Sequence, residues 1–206
     1  LATSIADQAY RKPTQSMAAY ECVLRGIKHL RGYGPDDNSR AAELFQRAMD
    51  LDPDYALARA YRALADVIIY DYSAPETILA QALTLASTGV DLDAGDSRCH
   101  WVLGTIHQLR GDFGAAERCY QRAIALNSND ANVIAGLGDV LVSLGRVDEG
   151  IGRIREAIRL NPYHPGWYLG SLGSALYVAR QYADAVSVLT GMTTPGFWAS
   201  CYLAAC

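Results

Sequence analysis

Three side chains able to ligate a metal stand close together in the chain: Cys99, His100 and His107. On a helix, residues seven apart share roughly one face, so His100 and His107 could point the same way. A zinc site needs three or four ligands, and neither an acid nor a second thiol shares that spacing. His107 also falls where an aromatic packing residue is usual in the pattern described below. We therefore expect packing histidines, with no metal and no cofactor. The chain carries no Gly-x-Ser-x-Gly, no P-loop and no Gly-x-Gly-x-x-Gly. With no convergent catalytic set, we expect no enzymatic activity.

A second cluster is basic. Arg146, Arg153, Arg155 and Arg159 are interrupted by Asp148, Glu149 and Glu156, a pattern that predicts a solvated, salt-bridged helix face. The formal net charge of -4 argues against nucleic acid, whose phosphates demand clustered Lys and Arg. The five cysteines are odd in number and none form Cys-x-x-Cys, so a disulfide framework is not expected. A reducing, cytoplasmic compartment fits better. No apolar run has the length of a membrane span. The chain opens without an initiator Met or a basic leader, and 197–206 reads as a helix without a cap, so we expect a piece of a longer protein.

The elements that position these residues are set by a repeat. Leu103-Gly104 recurs as Leu137-Gly138, Gly111 as Gly145, Ala123 as Ala157 and Leu126-Asn127 as Leu160-Asn161, each 34 residues on. Leu51-Asp52 to Leu92-Asp93 is 41, so the second unit carries seven extra residues. A period of 34 on a Leu-Gly, Ala-x3-aromatic, Ala, Pro framework is the tetratricopeptide signature, two helices per unit. It predicts an all-α, right-handed α-solenoid of eleven to twelve helices. The units fall at 19–53, 54–94, 95–128, 129–162 and 163–194, with the first helix of a sixth at 195–206. Residues 1–18 are an N-terminal capping helix or linker, Ile5, Ala6, Ala9 and Tyr10 having amphipathic spacing up to Pro13.

Small residues at the Leu-Gly and Ala slots let paired helices approach, while Phe45 or Tyr120 fills the gap to the next unit. The fourth unit is unusual, with Gly150 and Ile154 in the Ala and aromatic slots. The first unit has a long turn over Gly32–Asn38. Helix starts are legible at a Ser73-x-x-Glu76 capping box, at Asp112 and near Asp148. The seven extra residues around Ile68–Ser73 predict a longer first helix and a wider turn.

Ala19-Tyr20-Glu21-Cys22-Val23-Leu24-Arg25-Gly26, Ala48-Met49-Asp50-Leu51-Asp52-Pro53-Asp54-Tyr55-Ala56 and Arg159-Leu160-Asn161-Pro162-Tyr163-His164-Pro165-Gly166-Trp167-Tyr168 carry a narrower resemblance. They resemble the C-terminal tetratricopeptide region of bacterial class III adenylate/guanylate cyclase-type proteins. In that family the region follows a nucleotide cyclase or a winged-helix DNA-binding domain. The resemblance implies a regulatory or scaffolding segment of a protein that works as a dimer. No cyclase metal-binding aspartate or purine-binding residue can be carried over, because nothing here matches the cyclase domain.

A solenoid's ligand face is lined by the first helix of each unit. Helical spacing assigns to it Tyr20, Val23, Ile27, Leu57, Ala60, Leu64 and Val67, then Arg98, Trp101, Thr105, Gln108, Asn132, Ala135, Asp139, Val142, Trp167, Gly170, Ser174 and Tyr177. The slots that would clamp a peptide carboxylate hold Val23, Ile27, Ala60, Leu64, Trp101 and Thr105, so that clamp is absent. The candidate partner-binding residues are Arg98, Trp101, Thr105, Gln108, Asn132, Asp139, Trp167 and Tyr177. Trp101 and Arg98 make the best patch; the competing reading packs Trp101 between units. Tyr163, Trp167, Tyr168 and Tyr177 are expected to gather where the fourth and fifth units meet. Two functions remain open. One is a module that binds a protein, a peptide or another part of its parent chain. The other is a homodimerisation module, in which the apolar early groove and the last helix, with Phe197, Trp198, Tyr202 and Leu203, pack against a second copy, unless Phe197 and Trp198 fold back onto the fifth unit.

Overall fold

The structure is a computed structural model that describes residues 14–30, 35–70, 73–192 and 197–206. Among these residues all regular structure is helical. Eleven helices follow in order: α1 Met17–Leu30, α2 Pro35–Leu51, α3 Ala56–Ile68, α4 Glu76–Leu92, α5 Ser97–Leu109, α6 Phe113–Leu126, α7 Ala131–Ser143, α8 Val147–Leu160, α9 Trp167–Val178, α10 Tyr182–Thr190 and α11 Phe197–Ala205. Two compact units divide between Ile106 and His107, inside α5. The N-terminal helix expected at Ile5–Tyr10 lies outside the described residues.

The second helices bury recurring slots. Ala41, Phe45 and Ala48 on α2, and Ala116, Tyr120 and Ala123 on α6, are at most 1% exposed. The i, i+4, i+7 spacing places each trio on one face. Opposite these slots stand the glycines of the first helices. A Cβ at Gly26 would sit 2.5 Å from Phe45 Cε1, and one at Gly173 would overlap the Leu189 side chain. In the fourth unit backbone meets backbone: a Cβ at Gly138 would lie 2.9 Å from Gly150 O, and one at Gly150 would lie 2.6 Å from Gly138 O. Glycine in the Ala slot of this unit therefore reflects a backbone-to-backbone approach that no side chain can enter.

The turns repeat as faithfully as the cores. Asp52, Asp93 and Asn127 each end a second helix and accept a side-chain hydrogen bond from the N–H two residues on, at 3.2, 3.0 and 3.2 Å. These Asx turns explain the Leu-Asp or Leu-Asn that closes the first three units. First helices end on a left-handed residue: Gly111 at φ 76°, Gly145 at φ 82° and Arg180 at φ 61°. In each case the next N–H reaches back to the carbonyl five residues earlier, as Asp112 does to His107 at 2.9 Å. Asp112 caps α6 as expected, accepting from Ala115 N–H at 3.1 Å. Asp148 lies in the first turn of α8. Asp96 and Asp130 cap α5 and α7 in the same way, which the sequence pattern alone does not bring out.

Three local expectations fail. Ser73 does not cap α4: its hydroxyl donates to the Tyr70 carbonyl, and the helix opens behind Pro75 without a side-chain cap. Glu76 is thus the first helical residue, too early for a capping box. The seven extra residues do not lengthen the first helix, since α3 and α5 both have 13 residues. The segment between α3 and α4 has seven residues against three between α5 and α6, and α4 has 17 residues against 14 in α6. Finally, α2 begins at Pro35, so Asp36, Asp37 and Asn38 belong to the helix rather than the turn. Proline has no N–H to leave unpaired in a first turn, which suits that start. His29 Nδ1 and Asp37 Oδ1, 2.8 Å apart, tie α1 to α2.

Two substitutions test this frame by thermal and urea unfolding. Gly150→Ala should lose about 1–3 kcal/mol through overpacking, although alanine is the usual residue at that slot. Arg180→Gly should gain about 1 kcal/mol by relieving a left-handed backbone at a non-glycine residue.

Candidate functional site

The first group of expected site residues lies on α5. Asp96 fixes the start of this helix, accepting from Arg98 N–H at 2.7 Å and Cys99 N–H at 3.3 Å. Cys99, Val102 and Ile106 are fully buried, which turns Arg98, Trp101, Thr105 and Gln108 to the other side, each half-buried. The Arg98 guanidinium carbon lies 5.7 Å from the centre of the Trp101 ring. That ring in turn lies 6.2 Å from Tyr61, which stacks on Phe45 at 5.5 Å. Phe45 and Tyr61 are core, so Trp101 is the open end of an aromatic row. Trp101 thus packs on a neighbouring unit and remains half-buried. Thr105 Oγ donates to the Trp101 carbonyl at 3.1 Å, a bond within its own helix.

The second group belongs to the unit from His107 onward. Gln108 Oε1 accepts from the Tyr120 hydroxyl at 2.9 Å. Asn132 Oδ1 accepts from Tyr168 at 2.8 Å, and Asp139 Oδ2 from Ser171 Oγ at 2.9 Å, so both polar residues of α7 are bonded to α9. Burial pushes the Asp139 carboxyl up to about 7, the Ser171 hydrogen bond opposing. The expected aromatic gathering is split. Trp167, half-buried, meets Tyr168 edge-on at 4.3 Å, and His164 stacks on Tyr168 at 5.4 Å. Tyr177 instead packs against Tyr182 and Tyr202, at 5.4 and 5.2 Å. Tyr163 is 97% exposed and joins neither set. Through Tyr202, α11 lies back on α9, with Ala199 buried. The side chains of Phe197 and Trp198 lie outside the described residues.

Much of the apolar part of the expected face is covered, although Tyr20 is exposed and Ile27, Leu57 and Val142 are half-buried. Val23, Ala60, Leu64, Val67 and Ala135 are all at most 4% exposed. Helical spacing does not give their depth, because a first helix is covered both by its own second helix and by its neighbours. Tyr61 and Ser171 are the residues that spacing misses. The available signal is that Asp139 is the one charged side chain in α7, a helix of 13 residues.

The ligating side chains of the third unit go separate ways. Cys99 is buried and its thiol is pushed up by desolvation. His100 Nε2 donates to the Ala94 carbonyl at 3.0 Å. His107 Nδ1 lies 3.5 Å from Asp112 Oδ2, and burial pulls its pKa down despite that acid. No group of three or more His, Cys, Asp and Glu side chains fit to hold a metal occurs among the described residues. In the basic stretch, Arg146 is shared by Glu149 and Glu117, and Arg153 pairs with Glu156 at 3.0 Å. That is the salt-bridged face the sequence implied. No helix among the described residues is long and apolar enough to cross a membrane.

Known proteins share this frame. The profile of the family described as Tetratricopeptide repeat matches residues 101–165 and again 136–192. Together the two matches span residues 101–192. The tetratricopeptide fold extends over most of the chain. Human IFIT1, a dimer solved with m7Gppp-AAAA, superposes with TM-score 0.74 at 17% identity over 87% of this chain and 44% of that one. Cut9, in the APC/C hetero-tetramer Cut9-Hcn1, gives 0.67 at 20% identity over 90% and 34%. The transcriptional regulator HilA of Salmonella typhimurium is 24% identical over 144 residues, 68% of this chain and 26% of that protein. The chain spans about a quarter of this curated relative. The fold class is therefore the expected one, an all-α tetratricopeptide solenoid, a typically non-catalytic architecture.

The Asp139 carboxyl gives a pH prediction. Its folded pKa is raised, so the protonated form is favoured by folding. The stability it contributes is complete below the unfolded value of 3.8 and is lost as pH rises through about 7. His107, whose pKa is lowered, acts in the opposite sense. The clean readout is the difference between proteins: the gain in urea midpoint of Asp139→Asn over wild type should grow between about pH 5 and about pH 8.

Proposed function

We propose that this chain is a protein-binding module whose contact patch centres on Trp101 and Arg98. Tetratricopeptide proteins mediate protein–protein interaction, and Cut9 is found in a hetero-tetramer with Hcn1. The observation that carries the reading here is the half-open Trp101 ring, held from behind by Tyr61 and covered by a guanidinium. A rigid aromatic anchor beside polar groups is what interface hot spots are built from. Thr105 supplies a further edge of that patch on α5. Gln108, Asn132, Asp139, Trp167 and Tyr177 supply a more polar surface on the following unit. IFIT1 shows that the fold can also accompany a capped RNA. The net charge of -4 here, with Arg146 and Arg153 already engaged by acids, favours a protein partner.

In the fuller reading, the module is the regulatory region of a larger bacterial signalling protein, such as a nucleotide cyclase or a winged-helix regulator, acting in the cytoplasm. The likeness to HilA supports the regulator context. The partner is then a separate protein, a peptide or another domain of the parent chain. The second reading is homodimerisation through 195–206. The last helix keeps Cys201, Ala204 and Ala205 exposed while its Tyr202 is spent on α9.

Alanine substitution at Trp101 separates these readings. Trp101→Ala should weaken capture of the partner by about 2 kcal/mol or more while leaving the helical content unchanged. Full affinity in a folded variant would remove the patch from the interface. A mass near 22.3 kDa by light scattering would reject the dimer.

A further inference from the structure

Asp139 is out of keeping with its helix. Its neighbours on α7, Val133, Ile134, Leu137, Val140 and Leu141, are core. A carboxylate taken out of water needs a cation, several hydrogen bonds or a proton. Here one oxygen, Oδ2, accepts from Ser171. Nothing charged among the described residues acts on the group; desolvation and the Ser171 hydroxyl are the influences on its titration. The other oxygen, Oδ1, has no hydrogen bond to a described residue, yet it is not among the sealed, unpartnered polar atoms. The residue itself is only half-buried. Oδ1 therefore keeps a route to solvent while Oδ2 is anchored.

The surroundings hold this oxygen in place. Asn132, seven residues earlier on the same face of α7, is bonded to Tyr168. Ser174 Oγ donates to the Ser171 carbonyl at 2.9 Å, fixing the turn of α9 that presents the Ser171 hydroxyl. A neutral asparagine would fill this position without the burial penalty. The acid makes chemical sense if something completes its charge from the open side.

We propose that Asp139 is a receptor for a cationic side chain, lysine or arginine, of the bound partner, with Oδ1 accepting its N–H donors and Ser171 holding Oδ2. This rests on the partner-binding reading and adds the chemistry of one partner residue. Docking such a cation stabilises the ionised form and leaves no buried charge alone. The site is selective by desolvation: a neutral or acidic side chain meets either a bare carboxylate or a carboxyl that must keep its proton.

The test uses the labelled full chain and a small probe, n-butylammonium chloride, at about pH 8, where the carboxyl is largely ionised. Backbone and carboxyl NMR shifts of Asp139 and Ser171 should respond to the ammonium salt and not to equal 1-butanol or sodium chloride. The apparent affinity should fall at least about tenfold in Asp139→Asn, as expected for one charge-assisted hydrogen bond. Asp139→Glu should retain part of the response, which separates lost charge from altered packing. Absence of the response, an equal response to butanol, or its survival in Asp139→Asn would overturn the proposal. Since the probe needs no partner, that failure would leave the Trp101 reading standing, and loss of partner capture in Trp101→Ala would be judged apart.

Discussion

Everything in this protein depends on how closely two helices of a pair can approach. The approach is set where a glycine of the first helix receives a side chain, or bare backbone, of the second. Phe45 lies over Gly26, Leu189 over Gly173, and Gly150 faces Gly138 with nothing between the two backbones. Each pair then offers its remaining apolar residues to the next, because a single helical hairpin cannot bury both of its faces. The aromatic row from Phe45 through Tyr61 to Trp101 shows the consequence. A residue that seats one hairpin also orients the ring that the next hairpin leaves partly open.

The repeat is legible in the sequence because it is a packing requirement written every 34 residues. The slots around Ala41, Phe45 and Ala48 reappear around Ala116, Tyr120 and Ala123 with equal burial. Turn chemistry is legible only where it has a familiar form. Asp112 stands out beside its glycine, but Asp96 and Asp130, which cap their helices equally well, do not. Ser73 looks like a cap and is not one, since Pro75 sets where α4 begins and the hydroxyl finds the Tyr70 carbonyl first. The extra residues of the second unit can be counted but not placed. A wider turn and a longer second helix satisfy the same count as a longer first helix.

The candidate face is the least legible part. Periodicity finds the side of a helix that points away from its partner, but it does not say whether a further helix covers that side. Val23, Ala60, Leu64, Val67 and Ala135 are core. Tyr20 stays exposed, and Arg98, Trp101 and Thr105 in one unit, with Asn132, Asp139 and Trp167 in the other, stay half-buried. Under the proposed reading, recognition then rests on an aromatic anchor in one unit and on hydrogen-bonding groups with a carboxyl in the other. It also explains why Asp139 stands out by its residue type but not by its position.

The close approach within a helix pair is tested most directly by a double-mutant cycle between Gly26→Ala and Phe45→Leu. The atoms that a Gly26 Cβ would strike, Phe45 Cε1, Cζ and Cδ1 at 2.5 to 3.0 Å, belong to the aromatic ring that leucine lacks. Each single substitution should destabilise the fold, and the double should lose clearly less than their sum, by a coupling of about 0.5–3 kcal/mol. Strictly additive losses would mean that Gly26 and Phe45 do not share one contact, and would contradict the account.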